Sequence, residues 1–560
     1  MMSHTPSLTP ESRRAILESL GATHFDVLVI GGGITGAGVA RDAAARGLRV
    51  ALVEAEDFAE GTSSRSSKLI HGGLRYLAMG EVNLVRETAL ERKAVHAMAP
   101  HLAEPCWMVV PAHNRAAMVK FRVGIGTYEK LGSVEEEDRH HTWHDAELAA
   151  NEPLLRTGAY PWGVAYREYL TDDSRLVLAV LRAAVRDCAV VASRTRVIGL
   201  VRQGAGGPIR AVRVRCNTTQ QEIEIAAEVI VNAAGPWVEQ LARMEADPPR
   251  LRLHLSKGVH VVVDRSRLPV NNLVILSTAD RRSIFAIPRG DIVSIGTTDT
   301  SYTGTNTLWP EVDATDVAYL LEPLGRFLDV RPLQFADVLA TWAGVRPLIA
   351  EEGRTPAEMS RRDEVWTGPG GMLNVAGGKL TGFRRMAAEI VDAVGKALGR
   401  TLPAGPGLIP VPGGDIGRDL EGAARSLAAG AGTVADGRSV VDEMTARRLV
   451  RLYGSEAPDV LSLGAEPVVP GVPVVTGEVY WAIDVEAAMT LEDVVYRRTR
   501  IAWYLPLQRV ALLHAIAPLV ARRFGWSTEE CARQVAAVHA RYDEELAPIG
   551  TKPQPQSEAR

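Results

Sequence analysis

Residues 27–54 read VLVIGGGITGAGVARDAAARGLRVALVE, and this stretch decides the fold of the N-terminal half. Residues 27–30 form a short apolar run, as expected of a strand that is buried on both faces. Residues 31–36 predict a turn, residues 37–46 an alanine-rich helix, and residues 50–53 a second strand. A strand, a helix and a strand within about 30 residues imply a parallel strand pair with a right-handed crossover.

The glycine spacing within this unit is typical of a dinucleotide-binding turn. Gly31, Gly33 and Gly36 satisfy the pattern G-x-G-x-x-G, in which the glycines permit a tight turn, a close pyrophosphate and close helix packing. The start of the helix offers free N–H groups and a positive dipole end to the phosphates. Glu54 ends the second strand, where a carboxylate accepts hydrogen bonds from ribose hydroxyls and disfavours a 2′-phosphate. A glycine turn used only for packing does not explain Glu54. The unit argues against NADP and leaves NAD and FAD open.

Composition and length exclude several other classes of protein. The chain has 560 residues, of which 46% are hydrophobic, so a large folded core is expected. Its 63 basic and 67 acidic residues nearly balance, so the overall charge of the chain does not indicate a nucleic-acid partner. The four cysteines form no C-x-x-C pair, which argues against a disulfide framework or a zinc knuckle. No signal-peptide core or membrane-spanning run is evident in the sequence.

The remainder of the chain predicts a second sheet and a helical region. Several runs rich in β-branched residues between about 190 and 300 suggest a largely antiparallel sheet. Residues 401–415, TLPAGPGLIPVPGGD, read as a linker, and helical patterns dominate residues 416–545. The last residues, TKPQPQSEAR, are expected to be disordered.

A polar loop follows the dinucleotide unit and carries a family resemblance. Residues 61–76 read GTSSRSSKLIHGGLRY, which crowds hydroxyls, cations and glycines into one segment. With its neighbours it resembles the signature of the FAD-dependent glycerol-3-phosphate dehydrogenases. Further segments agree in order: VNAAGPWV (231–238), SKGVHVVV (256–263), WAGVRPL (342–348), AGGKLTGFR (376–384) and YRRTRIAW (496–503). The resemblance covers roughly residues 24–545 and favours FAD over NAD.

This resemblance implies an α/β fold with three parts. They are a doubly wound parallel-sheet FAD-binding domain, an antiparallel-sheet substrate domain interleaved with it, and an α-helical C-terminal cap. The predicted boundaries are an N-terminal extension without an evident role (1–23), the FAD-binding domain (within 24–400, mainly 24–100, 170–240 and 340–400), the substrate domain (mainly 101–169 and 241–339), the linker (401–415), the helical domain (416–545) and a disordered tail (546–560).

The implied reaction is oxidation of sn-glycerol 3-phosphate to dihydroxyacetone phosphate, with electrons passed to a membrane quinone. The resemblance also implies a homodimer in the cytoplasm, peripheral on the inner face of the plasma membrane. No calcium-binding loop of the type D-x-D-x-D-G occurs, and no metal site is expected.

The small polar residues of the loop are candidates for contact with FAD. Hydroxyls and N–H groups there can bond to pyrophosphate or flavin oxygens, although a solvated serine-rich turn is the plainer interpretation. A strand-end glycine in NAAGPW also allows close approach of the backbone to FAD. The predicted cofactor-binding set is Gly31, Gly33, Ile34, Thr35, Gly36, Glu54, Thr62, Ser63, Ser66, Ser67, Leu69, Gly235, Gly378, Lys379, Leu380 and Thr381. The Gly382-Phe383 pair departs from the family pattern and puts contacts beyond Thr381 in doubt.

The substrate carries close to two negative charges, and forked arginines suit its phosphate best. The resemblance places five residues around it: Arg75, Tyr76, Arg346, Arg361 and Lys379. For any one arginine, a structural ion pair is the alternative. Arg362 leaves the alignment of Arg361 ambiguous by one position.

A histidine is the expected base for the C2 hydroxyl proton. His260 is the candidate, His71 is its rival, and a strand histidine satisfied by the backbone is the structural alternative. Lys379, or backbone N–H groups of residues 377–381, would stabilise negative charge on reduced flavin. The predicted catalytic set is therefore His260, Arg346 and Lys379.

Other interpretations stay open at this point. The basic C-terminal stretch that begins at residue 496 fits either a membrane interface or a packed helix. A glycerol-3-phosphate oxidase shares the same FAD half-reaction, although the short path from 346 to 378 shows no oxidase-type insertion. An amine or amino-acid oxidase and a non-catalytic flavin sensor are more distant alternatives.

Overall fold

The structure is a computed structural model of the chain. It describes residues 7–9, 13–72, 81–204, 206–247, 249, 251–350, 363–430 and 441–550. The strands are β1 (Phe25–Ile30), β2 (Val50–Val53), β3 (Leu69–Ile70), β4 (Ala103–Ala112), β5 (His141–His144), β6 (Trp162–Thr171), β7 (Val190–Ala192), β8 (Thr195–Arg202), β9 (Ile209–Cys216), β10 (Glu222–Asn232), β11 (Leu253–Asp264), β12 (Leu273–Ser277), β13 (Ser283–Arg289), β14 (Ile292–Gly296), β15 (Thr300–Ser301), β16 (Val338–Ile349), β17 (Glu364–Thr367) and β18 (Leu373–Ala376).

Helices alternate with these strands and then replace them. They are α1 (Arg13–Ala22), α2 (Ile34–Ala45), α3 (Val82–Met98), α4 (Arg115–Leu131), α5 (Asp145–Asn151), α6 (Asp173–Arg186), α7 (Val238–Glu245), α8 (Ala314–Leu321), α9 (Leu324–Phe327), α10 (Phe383–Ala397), α11 (Leu420–Gly430), α12 (Glu443–Tyr453), α13 (Ala457–Ser462), α14 (Thr476–Asp484), α15 (Ile501–Tyr504), α16 (Arg509–Phe524) and α17 (Thr528–Leu546). A π-helical segment, Asp493–Arg498, precedes α15.

The first sheet is the doubly wound one. Its order is β17-β18-β10-β1-β2-β7, parallel from β18 to β7, with antiparallel β17 at the edge. A hairpin of β8 and β9 extends the far end of β10. Every residue of β1 is buried, because helices or the hairpin cover both faces of this sheet.

The two faces of β1 enter different cores. Val27 and Val29 pack with α2, α6 and α10, whereas Leu28 and Ile30 face the hairpin and α1. The apolar stripe of α1 is buried against this second face. Helix α1 of the N-terminal extension therefore covers part of one side of the sheet, a role that the sequence of the extension did not suggest.

The second sheet is mixed and mostly antiparallel. Its order is β15-β11-β14-β13-β12-β4-β6-β3, with β16 also paired to β11 and β5 to β6. Within this sheet the β12–β4 pair is parallel. The boundaries from the sequence grouped β3 and β16 with the FAD-binding domain, but both pair in the second sheet. Each lies within a sequence range assigned to the first domain but forms its backbone hydrogen bonds in the second sheet.

The C-terminal region is helical, from α11 to α17. Its core includes Trp342 and Val262 of the second sheet, so this region packs directly on that sheet. Residues 547–550 form a 3₁₀ turn, although the sequence placed them in a disordered tail. The predicted fold class, two interleaved α/β parts with a helical C-terminal domain, is confirmed. Within the described ranges, no helix has the length and apolarity needed to cross a bilayer.

Candidate active site

The glycine turn between β1 and α2 has the geometry that a pyrophosphate requires. Gly31 has φ of 116°, and a Cβ there would lie 2.5 Å from the carbonyl oxygen of Ala233. A Cβ on Gly36 would overlap the carbonyl oxygen of Gly31. Both positions therefore require glycine, as expected of a tight dinucleotide-binding turn at the N-terminus of a helix.

Ser63 lies directly over this turn. Its Oγ accepts a hydrogen bond from the N–H of Ile34 at 3.0 Å, and a Cβ on Gly33 would approach the same oxygen at 3.1 Å. Thr35 continues the first turn of α2. The glycine turn is thus in direct contact with the segment of residues 61–68, called the serine loop below.

Glu54 lies at the end of β2 with its carboxylate turned toward the glycine turn. It accepts hydrogen bonds from the N–H of Gly32 at 2.7 Å and of Glu56 at 2.9 Å. Burial raises the pKa of Glu54 to about 7, against the opposing effect of these two backbone bonds. A ribose that donates hydroxyl hydrogen bonds to this carboxylate would favour its ionised form.

These residues fit the dinucleotide half of FAD. The turn has glycine at the two positions where a side chain would collide with the backbone, and a carboxylate that can accept from ribose lies at the end of β2. At the end of β10, Gly235 has φ of 54° and open space at its Cβ position, while neighbouring Ala233 contacts Gly31. The predicted cofactor residues of β1, β2 and β10 therefore converge.

The serine loop connects the two sheets, and its hydroxyls contact protein groups. Thr62 Oγ1 donates to the carbonyl of Val345 at 2.6 Å, on strand β16. Ser66 Oγ donates to Asp173 at 2.7 Å, and Ser67 Oγ bonds His260 Nε2 at 2.9 Å. Leu69 then enters β3 and is buried. The loop thus lies between the cofactor turn and the second sheet, in an ordered network rather than as a solvated turn.

His260 lies on β11 opposite Trp342 of β16. The two rings stack with centroids 4.9 Å apart and an interplanar angle of 12°. His260 is only 1% exposed, and its Nδ1 has no hydrogen-bond partner among the described residues. Burial, followed by the charges of Lys68 and Arg346, holds the pKa of His260 well below its ordinary 6.5. The imidazole is therefore neutral at neutral pH.

Arg346 projects from β16 on the same side as Trp342. Its guanidinium donates to Thr297 Oγ1 at 2.9 Å and, at 3.3 Å each, to the carbonyl of Thr298 and to Asp299 Oδ1. A Cβ on Gly258 would overlap this guanidinium. Gly258 lies two residues before His260, so the glycine admits the cation to the strand face that carries the histidine. Arg346 also forms an ion pair with Asp299, which is the structural role that the sequence analysis gave as the alternative for any one arginine.

The segment after β18 reaches a different part of the loop. Gly377 and Gly378 have φ of 76° and 84°, and Leu380 begins a 3₁₀ turn. Thr381 Oγ1 donates to the carbonyl of His71 at 3.0 Å and accepts from its N–H at 3.1 Å. This turn therefore fixes the backbone of His71, the rival candidate base.

The side chain of Lys379 lines a small cavity beside α3 and α10, together with Glu87, Glu91 and Asp363. Among the described residues, no contact joins it to His260 or Arg346. Of the predicted catalytic set, His260 and Arg346 therefore lie on one face of the second sheet, whereas Lys379 lines a cavity beside α3 and α10.

The whole chain resembles known flavoenzymes. Residues 26–384 match the family described as FAD dependent oxidoreductase, and residues 408–531 match the C-terminal domain of alpha-glycerophosphate oxidase. The aerobic glycerol-3-phosphate dehydrogenase of Staphylococcus haemolyticus (strain JCSC1435) is 39% identical over 458 residues, or 80% of this chain and 81% of the relative. The same enzyme of Staphylococcus aureus (strain USA300) is 39% identical over 467 residues, or 82% and 83%.

This chain belongs to the FAD-dependent glycerol-3-phosphate dehydrogenase family. A solved glycerol-3-phosphate dehydrogenase from Bacillus halodurans, complexed with FAD, superposes with a TM-score of 0.79 at 32% identity, covering 98% of this chain and 100% of that one. An L-alpha-glycerophosphate oxidase from Mycoplasma pneumoniae shares the fold, with a TM-score of 0.53 at 19% identity over 69% of this chain and 98% of that one. The predicted family and its FAD cofactor are confirmed.

The described residues include only part of the predicted substrate-binding set. Arg75, Tyr76 and Arg361 lie outside the described residues. The described remainder of the predicted substrate set consists of Arg346 and Lys379. For this glycerol-3-phosphate dehydrogenase family member, the substrate roles of all five stay predictions.

Reasoning from the sequence missed a buried ionic network behind the serine loop. Asp173, at the start of α6, bonds Ser66, Lys68 and Arg500, and all four lie in one cluster. The only signal in the sequence was the acidic pair of residues 172–173, which directly follows β6 in the structure. Arg500, one of the two cations that bond Asp173, is more than three hundred residues away in the sequence of this dehydrogenase family member, so spacing gave no indication of the pairing.

Three arginines of the basic C-terminal stretch that begins at residue 496 form buried ion pairs in the same part of the structure. Arg497 and Arg498 both pair with Asp57, and Arg500 pairs with Asp172 and Asp173. These arginines are at most 1% exposed. Their charges are internal, so the interpretation of this part of the stretch as a membrane-facing basic surface is wrong, and the packed alternative holds.

Proposed function

We propose that this protein oxidises sn-glycerol 3-phosphate to dihydroxyacetone phosphate with FAD and delivers the electrons to a membrane quinone. The observation that carries the proposal is that a neutral, buried His260 and the forked guanidinium of Arg346 lie on the same face of adjacent strands. Both groups lie beside the serine loop that contacts the glycine turn. The names of the relatives, aerobic glycerol-3-phosphate dehydrogenases, support the same substrate.

His260 is suited to accept the proton of the C2 hydroxyl. With Nε2–H donating to Ser67 Oγ, the lone pair for that proton is on Nδ1, which has no other partner among the described residues. FAD, when bound, supplies the two-electron acceptor that takes the C2 hydrogen as a hydride. Loss of that hydride and of the hydroxyl proton leaves a C2 carbonyl, so the electrons balance.

Arg346 is suited to hold the phosphate. Its fork is oriented by Thr297, Thr298 and Asp299, so little side-chain freedom is lost when an anion binds. Charge-assisted bonds from guanidinium to phosphate are among the strongest that a protein makes. Lys379 and Arg75 are proposed as further cations on the resemblance alone.

The delivery of electrons to a quinone requires contact with a membrane, and α4 has a suitable surface. Val119 and Val123 are 46% and 65% exposed on this helix. Glu129, the one carboxylate in its sequence, is buried and bonded to His140. The other charged side chains of α4 are exposed cations: Arg115, Lys120, Arg122 and Lys130. An exposed helix with apolar and basic side chains matches the interface of an anionic bilayer.

The direct test of the reaction is anaerobic reduction of the purified yellow protein. Glycerol 3-phosphate should bleach the flavin absorbance, whereas glycerol, which lacks the phosphate, should not do so at the same concentration. Steady-state turnover with a soluble quinone analogue, set against peroxide formation in air, then identifies the acceptor. Faster turnover with oxygen would make the protein an oxidase, and no bleaching by glycerol 3-phosphate would refute the substrate.

The membrane surface is tested separately by cosedimentation with vesicles. The wild-type protein should sediment with phosphatidylglycerol vesicles and less with phosphatidylcholine vesicles. The double variant Val119→Glu, Val123→Glu should lose this binding, whereas Met244→Glu, a change at a residue of α7 that is 46% exposed, should keep it. Equal sedimentation of both variants would exclude α4 as the contact.

A further inference from the structure

Asp173 is the centre of a buried network that joins the serine loop to the C-terminal domain. It is the first residue of α6 and has no exposed surface. On the loop side, its Oδ2 accepts from Ser66 N at 3.0 Å, Ser66 Oγ at 2.7 Å and Lys68 Nζ at 3.1 Å. On the other side, its Oδ1 accepts from Arg500 Nη2 at 2.9 Å. One carboxylate therefore bonds both parts of the molecule.

The loop side of this network continues to the candidate base. Lys68 Nζ also donates to the carbonyl of Ser64 at 2.8 Å and lies 4.8 Å from the centre of the Trp342 ring. His260 stacks on that same ring. A displacement of Lys68 would therefore be transmitted to the support of His260 as well as to the backbone of the loop.

The C-terminal side is held in a costly conformation. Arg500 has φ of 62°, a left-handed conformation that is unfavourable for a residue other than glycine. Its side chain is fully buried, with Nε bonded to Asp172 at 3.1 Å and Nη2 to Asp173. The backbone carbonyl of Tyr496 accepts a further bond at 2.8 Å. These bonds offset the strain, and they point the guanidinium at the start of α6.

We propose that Asp173 is a positioning residue that fixes the serine loop in the conformation that receives the flavin, with Arg500 transmitting the position of the C-terminal domain to it. This inference rests on the proposed flavin chemistry at the loop. It assigns to the C-terminal domain a part in organising the active site, beyond covering the second sheet.

A second ion pair between the same two elements provides a matched control. Arg175, also on α6, pairs with Glu486 in the C-terminal region, and Trp481 Nε1 donates to Glu486 at 3.0 Å. Both members are buried. The contacts of Glu486 are with Arg175, Trp481 and Arg498, so its loss weakens the same interface and leaves Ser66 and Lys68 in place.

The experiment compares Asp173→Asn, Arg500→Lys and Glu486→Gln in the full-length holoenzyme and in apoprotein reconstituted with FAD. FAD affinity is measured by quenching of flavin fluorescence, and flavin reduction is followed anaerobically. We expect Asp173→Asn to weaken FAD binding about tenfold or more and to shift the visible flavin spectrum. Flavin reduction should slow at saturating glycerol 3-phosphate, while KM changes little. Arg500→Lys, which keeps the charge, should lie between this variant and the wild type.

Glu486→Gln should lower the melting temperature and leave FAD affinity, spectrum and reduction rate as in the wild type. Equal effects of Asp173→Asn and Glu486→Gln on FAD binding and spectrum would reduce Asp173 to a structural role and overturn the proposal. If Asp173→Asn does not fold, the FAD affinity, spectrum and reduction rate of Arg500→Lys test the proposal instead. If both variants fail to fold while Glu486→Gln folds, the network is needed for folding and the proposal is rejected. Failure of wild-type flavin to be reduced by glycerol 3-phosphate would refute the proposed function alone, because FAD affinity still tests Asp173.

Discussion

Replacing His260 with asparagine separates a catalytic base from a buried structural histidine. Asparagine retains a polar side chain near Ser67 but cannot take up a proton. Loss of a positioned base slows proton transfer by about 10²- to 10⁴-fold. We expect flavin reduction in His260→Asn to slow within that range, whereas substrate affinity falls little because Arg346 is unchanged. Stopped-flow anaerobic reduction measures both quantities.

The pH dependence of the same assay sharpens this test. A histidine of ordinary pKa would be about 90% neutral at pH 7.5 and about 25% neutral at pH 6, so reduction would slow about fourfold. The pKa of His260 is well below 6.5, because burial and the charges of Lys68 and Arg346 oppose protonation. The wild-type rate at saturating substrate should therefore change little over this interval and fall only at lower pH.

Two controls complete the experiment. His96→Asn removes another buried histidine, which bonds the carbonyl of Ala103 and packs on Tyr169, and it should leave the reduction rate unchanged. The fall in rate at low pH should be absent from His260→Asn if protonation of His260 causes it. Unchanged reduction kinetics in His260→Asn would refute the assignment, and a wild-type rate that falls fourfold toward pH 6 would refute the argument about its pKa.

Three further changes test the cofactor turn and the phosphate contact. Gly36→Ala places a Cβ on the carbonyl oxygen of Gly31, so the purified variant should contain little flavin; a flavin-to-protein ratio equal to wild type would contradict this. Burial raises the pKa of Glu54 to about 7, and ribose binding favours the carboxylate, so binding releases a proton and FAD affinity of apoprotein should rise with pH through this range. Glu54→Gln should abolish that rise, and its persistence would point to another group. Arg346→Lys loses the forked contact and should raise KM for glycerol 3-phosphate about tenfold or more, with a smaller effect on flavin reduction at saturation; an unchanged KM would exclude Arg346 from the phosphate site.

The parts of the fold that depend on local sequence were predictable. The unit from β1 to β2 follows from one apolar run, one glycine pattern and one terminal acid, all within a short segment. The position of Glu54 follows from the length of a single crossover, and the structure places its carboxylate at the glycine turn as expected. By contrast, the ranges expected to be mainly FAD-binding domain contain β3 and β16, which pair in the second sheet, because local sequence does not specify the partner of a strand.

The ionic network could not be predicted for a related reason. The arginines at 497, 498 and 500 are visible in the sequence, and Arg497 pairs with the nearby Glu492 and Asp493. The other carboxylate partners, Asp57 and Asp173, are more than three hundred positions away, and nothing in the local sequence marks them as partners. A solvated or membrane-facing arginine run has the same sequence pattern as a buried one. Only the tertiary structure shows that each charge is paired, and burying unpaired charges at these positions would cost several kcal/mol.

The surroundings of His260 combine two demands that oppose each other. Positive charge from Arg346 favours binding of a phosphate dianion, but the same charge, together with that of Lys68, makes His260 a weaker base. Before the reaction, the alcohol is far less acidic than the imidazolium. A base as weak as His260 therefore hardly deprotonates the hydroxyl at this stage. As the hydride leaves C2, positive charge develops at that carbon and the hydroxyl becomes more acidic. Proton transfer to His260 is then favourable within the same step. The cationic site therefore favours loss of proton and hydride together, and it keeps the base neutral across the pH range in which the substrate is a dianion.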